Sequence, residues 1–204
     1  MKRIFTPLML TLLALLGGTN VSAQTTVTYA VQEGETHAAG ETVEVKDSND
    51  EAVATLTFGF AGEADYKAGK KSSVGNFVAY TEGNGVNGKE NSGTNYFIAP
   101  KYDGEIEVGV VLNVDKAFFV LEDGTALEDY NGIKVTEKYT GTYKFNVTGG
   151  KTYQVYCSGS KLGFHGFNYT FTPAGPNTPP TADEVTALTA DMFYLIPISE
   201  PPRR

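Results

Sequence analysis

The sequence predicts an all-β protein, an antiparallel β-sandwich of jelly-roll type. Three observations carry this. Apolar residues recur at every second position in several short runs, which buries one face of a strand and wets the other. Turn chemistry punctuates those runs, with 23 glycines and 9 prolines in 204 residues. No strand alternates with a long helical pattern, so a parallel α/β sheet is disfavoured.

The clearest alternation lies at 142–171. Tyr143, Phe145 and Val147 fall on one parity, and Thr142, Lys144, Asn146 and Thr148 on the other. Gly149-Gly150 then offers a two-residue hairpin loop tolerant of positive φ. Tyr153, Val155 and Cys157 resume the inward set, with Thr152, Gln154 and Tyr156 outward. Phe167, Tyr169 and Phe171 offer a third run to the same core, so these three strands are expected in one sheet. Cys157, the single cysteine, permits no internal disulfide, and its inward parity makes it a small core hydrophobe.

Before this stretch, weak alternation at 27–31 and 42–45 predicts two short strands, and Ala54, Leu56 and Phe58 a firmer one. Residues 61–73 read as a loop and 77–81 as a strand. The turn-rich EGNGVNGKENSG follows at 82–93, then a strand at 95–99 closed by Pro100. Asp103-Gly104 turns the chain into 105–112, where Ile106, Val108, Val110 and Leu112 face inward. Residues 117–121 are continuously apolar, as in a strand buried on both faces. Residues 126–131 read as a loop or a single helical turn.

The ends have different compositions. Residues 1–23 carry Lys2 and Arg3, an apolar run at 8–16, and the small-residue site Val21-Ser22-Ala23, the order of a signal peptide. Cleavage before Gln24 is expected, with a secreted, periplasmic or cell-surface destination and no membrane insertion. The sandwich then occupies 24–172. Residues 173–181 form a Pro-rich linker, and 182–204 a short tail with one amphipathic helix through Val185, Leu188 and Met192. The formal charge is −8; so acidic a surface argues against nucleic acid as a partner.

The segments YTEGNGVNG at 80–88, YDGEIEVGVVL at 102–112, EDGTALEDYNGI at 122–133 and GKTYQVYCSGSKLGFHGF at 150–167 stand out. Together they resemble a β-sandwich module that accompanies pectate lyases and related polysaccharide-degrading enzymes in exported bacterial proteins. The resemblance covers about 54–171 and implies a non-catalytic jelly roll akin to carbohydrate-binding modules. LTADMF at 188–193 resembles the entry to the next module of such proteins, and the chain then ends, as a truncated version would.

The chemistry-bearing residues fit that reading. His37 is expected as a solvated loop residue and His165 at a kink or bulge. No Ser/His/Asp spacing, Cys/His cluster or phosphate loop appears, so no enzyme is expected. Glu122-Asp123 with Glu128-Asp129 read as turn formers or as calcium ligands, and structural calcium stays open while no other cofactor is implied. The candidate sugar site is 82–93. Asn84, Asn87 and Asn91 supply donors and acceptors together, Lys89 supplies a cation for a uronate, and Tyr80 or Tyr130 a stacking ring. A glycine-rich loop whose asparagines serve only its turns is the competing reading. At the level of function, the alternatives to a polysaccharide-binding module are an accessory fragment of a truncated lyase and a spacer or adhesion module without a sugar site.

Overall fold

Apolar alternation becomes sheet along most of the chain. The computed structural model describes residues 23–173, and these form twelve strands and no helix. They are β1 (Thr25–Ala30), β2 (Thr42–Lys46), β3 (Ala52–Phe58), β4 (Lys70–Val74), β5 (Phe77–Tyr80) and β6 (Asn95–Pro100), followed by β7 (Gly104–Leu112), β8 (Ala117–Glu122), β9 (Thr125–Lys134), β10 (Tyr139–Val147), β11 (Tyr153–Ser158) and β12 (Gly163–Phe171). One sheet runs β1-β12-β7-β10, a second β2-β3-β6-β11-β8-β9, and β4 pairs with β5 alone. Every pairing of these strands is antiparallel. The leader through Ser22, the linker beyond Pro173 and the tail lie outside the described residues.

The two larger sheets share one core. Ile106, Val108, Val110, Phe145, Phe167 and Tyr169 come from the four-stranded sheet; Leu56, Ile98, Phe118, Val120, Val155 and Cys157 come from the six-stranded one. Each large apolar side chain removed from water contributes about 1.5–3 kcal/mol, so this shared cluster holds the sheets face to face as a β-sandwich. Burial pushes the Cys157 thiol up to about 11, which leaves it protonated and inert at neutral pH.

Several expectations change. The strands at 142–148, 153–157 and 167–171 do not share a sheet: β10 and β12 lie in the four-stranded sheet and β11 in the other. Gly149-Gly150 is therefore a crossing between sheets. The reason is local. Gly150 N donates to Pro100 O at 2.9 Å and Gly149 N to the Asp103 carboxylate at 2.8 Å. A Cβ at Gly149 would stand 2.6 Å from Lys101 O. The turn is clamped onto the β6–β7 turn and sends the chain across the core.

Residues 126–131 lie within β9, an edge strand, where a loop or helical turn was expected. The expected loop at 61–73 contains most of β4. In β11 the outward Gln154 and Tyr156 are buried as well as the inward set, because 82–93 folds over them. His165 does sit at a bulge, between Phe164 and Gly166. It is fully buried, with Nδ1 2.7 Å from Ala79 O of β5.

His37 is the largest local departure, being 4% exposed where a solvated residue was expected. Its ring stacks on Phe58 of β3 at 3.8 Å between centroids and 8° between planes. Nε2 lies 3.1 Å from the Tyr29 hydroxyl and 3.4 Å from Glu35 Oε1, and Nδ1 lies 3.3 Å from Glu41 Oε1. The Nδ1 contact lacks hydrogen-bond alignment and is an ion pair by distance alone. Both carboxylates also cap backbone: Glu35 accepts from Gln32 N and Glu41 from Ala38 N.

Candidate functional site

Residues 82–93 form a strap across the outer face of the six-stranded sheet. At its start, Thr81 N donates to Phe164 O at 2.9 Å. Glu82 accepts from Lys67 Nζ at 2.6 Å, with Lys70 Nζ at 3.4 Å. Burial alone would raise the Glu82 carboxyl, but the two lysines outweigh it and hold it below the ordinary carboxylate range. In the middle, Gly88 N donates to Ser160 O at 3.0 Å. Gly88 is glycine for close approach, since a Cβ there would lie 2.6 Å from Thr94 O and 2.9 Å from Cys157 O.

The far end is fastened by two buried amides. Lys89 N donates to Ser92 O at 2.9 Å, which closes a tight turn. Under that turn Asn95, fully buried, donates through Nδ2 to the carbonyls of Lys89, Ser92 and Gly93 at 3.1, 2.9 and 3.1 Å. Gln154 of β11, 7% exposed, donates through Nε2 to Glu90 O at 2.6 Å and to Asn95 Oδ1 at 2.8 Å. Gly93 N donates to both carboxylate oxygens of Glu63, at 2.9 and 2.8 Å. Buried carbonyls that need partners thus find them in side-chain amides, as buried backbone requires.

The strap presents the predicted polar residues. Asn84, Asn87, Lys89 and Asn91 are all exposed, and none of their side chains has a hydrogen-bond or ion-pair partner among the described residues. Of the two predicted aromatics, Tyr80 ends β5 just before the strap, and Tyr130 is not presented with it. Tyr80, half-buried, lies 5.5 Å from the His165 ring, with Lys70 Nζ 5.9 Å from its centroid. Tyr130, on β9, packs against Phe118, Tyr143 and Phe145, and its hydroxyl donates to Lys144 O. Its ring partners come from β8 and β10, and no hydrogen bond or ring contact ties it to the strap.

Other aromatics flank the strap instead. Phe60 and Phe97 meet edge to face at 5.2 Å, both half-buried. Tyr156 lies beneath Gly88 and stacks on Phe119 at 5.0 Å and 7°. Phe97, Tyr156 and Phe119 all occupy the outward parity of their strands, and that parity is the signal that could have marked them. Beside the strap is a cleft of about 260 Å³, lined by Phe60, Glu63, Ala64, Val86 and Thr94 among others.

Of the candidate calcium carboxylates, Glu122 and Asp123 serve other contacts. Asp123 accepts from Thr152 N and Lys151 Nζ at 2.9 and 2.8 Å, and Glu122 accepts from the Tyr153 hydroxyl at 2.5 Å. Among the described residues no three His, Cys, Asp or Glu side chains converge as a metal site. No helix among them is long and apolar enough to cross a membrane.

No family model matches the chain, and no curated protein matches it. Among solved structures, the PA14 domain of the MpAFP antifreeze protein is similar at 12% identity over 80% of this chain and 90% of that one, with a TM-score of 0.22. A GH31 alpha-xylosidase from Xanthomonas citri is similar at 10% identity over 81% of this chain and 23% of that one, also with a TM-score of 0.22. At that TM-score neither likeness bears on what this chain does.

Proposed function

We propose that this chain is an exported, non-catalytic carbohydrate-binding module of jelly-roll type, serving a polysaccharide-degrading system and binding a pectin-like glycan, neutral or uronic. The observation that carries the reading is the strap. Asn84, Asn87, Lys89 and Asn91 project unpartnered into solvent from a backbone fastened by Asn95, Gln154 and Glu63. Sugar hydroxyls need donors and acceptors held in place, because ordering a loose loop on binding would cost much of the affinity. Phe60 and Phe97 stand in the stacking role expected of Tyr80 and Tyr130. The leader at 1–23 supports export, and the resemblance to lyase-associated modules supports the degradative setting.

Calorimetry on the mature chain tests this with neutral and uronic oligosaccharides. Binding is expected, and Lys89→Ala is expected to weaken a uronate-containing ligand, since a hydrogen bond to a charged group contributes about 1.5–3 kcal/mol. If no glycan binds the wild type, the strap is a structural brace and the spacer reading takes its place.

A further inference from the structure

We infer that the cleft beside the strap is a subsite for one neutral sugar ring and excludes uronates; this rests on the glycan-binding reading. Its size is the first argument. At about 260 Å³ it falls below the roughly 300–1,000 Å³ of clefts that enclose drug-sized ligands, so it accommodates a single ring rather than a chain. Its lining is the second. Phe60, Ala64 and Val86 contribute apolar lining, with Val86 61% exposed, and a pyranose presents a matching face of C–H groups to an aromatic or aliphatic surface.

Charge decides the class. Among the described residues, Glu63 is the one charged residue lining the cleft, and no cation lines it. Each Glu63 oxygen accepts from Gly93 N and keeps lone pairs for sugar hydroxyls. A uronate carboxylate in the same space would face that carboxylate without a counter-charge, in a chain whose formal charge is already −8. Lys89 does not line the cleft, so a uronic chain engaged there leaves this subsite for a neutral ring.

Calorimetry on the mature full chain tests the subsite, with oligosaccharides of glucose, xylose, galactose and arabinose against oligogalacturonate. In Lys89→Ala, which lacks the cation for a uronate, at least one neutral ligand is expected to bind about tenfold or more tighter than oligogalacturonate. Phe60→Ala is expected to weaken that neutral ligand about tenfold with the melting temperature retained. Glu63→Gln keeps an acceptor for Gly93 N, removes the charge and is expected to narrow the neutral-over-uronate ratio. Preference for oligogalacturonate in Lys89→Ala, or neutral affinity untouched by Phe60→Ala, overturns the subsite while the glycan reading stands. If no glycan binds, both fall.

Discussion

Two buried histidines set the pH response of this fold in opposite directions. Burial alone would lower His37, but Glu35 and Glu41 outweigh it and raise it above the ordinary imidazole value. The imidazolium is then bound more tightly by the folded chain. Its contribution is full below the unfolded value of 6.5 and is lost as pH rises through the raised folded value. His165 behaves oppositely. Burial lowers it, and the Ala79 carbonyl, which favours the charged ring, does not compensate. The fold holds it neutral, so its penalty appears as pH falls below 6.5. Urea unfolding across this range is expected to show a maximum near neutrality. His37→Phe, which keeps a ring against Phe58, should remove the His37-linked loss on the alkaline side and leave the acid side as it was. An unchanged alkaline slope would show that the Glu35–His37–Glu41 cluster does not govern it. The sequence around His37 gave no hint of burial, because its stacking partner arrives from β3 and no local period connects them.

The strap shows how an element can be legible in composition and illegible in support. Its asparagines and glycines read directly as a polar, turn-rich connection. Asn95 and Gln154 read as ordinary strand residues, because a buried amide is recognised only from the carbonyls around it. Asn95→Ala would leave the Lys89, Ser92 and Gly93 carbonyls without these donors and is expected to cost about 1–3 kcal/mol. The strap should loosen before the sandwich does. Limited proteolysis after Lys89, with hydrogen exchange at 88–94, reads this directly; protection equal to wild type would mean that Gln154 and Glu63 suffice. β9 is illegible in the sequence for a related reason. Its half-buried apolar residues Leu127, Tyr130 and Ile133 recur at every third position, and irregularities in its pairing with β8, between Phe118/Phe119 and Phe119/Leu121, break the period of two. In β7 the inward set is as its parity requires, Ile106, Val108, Val110 and Leu112 all being buried, but Gly109 and Val111 between them are buried as well.

Parity says which face of a strand is buried but not which sheet the strand joins, so the arrangement of the whole molecule was the least legible part. From β9 to β12 the chain passes between sheets at every connection, and β1 pairs with β12 across the full described length, Thr25 opposite Phe171. Such non-local pairing makes folding slow, about milliseconds to seconds, and couples the ends of the described chain to one another. β1 also contributes Val27 to the shared core and Tyr29 to both Phe167 and His37. Removal of 24–30 would expose the edge of β12, strip Tyr29 from His37 and open the core along one side. The expected outcome is loss of the cooperative transition for the entire sandwich rather than fraying of one strand. Far-UV dichroism and tyrosine fluorescence serve as separate probes, the chain having 12 Tyr and no Trp. In the intact protein the two curves should coincide, as a single shared core requires. In the truncated chain neither should show a sharp transition. A truncated chain that still melts sharply near the wild-type midpoint would mean that β12 and β7 close the sheet without β1.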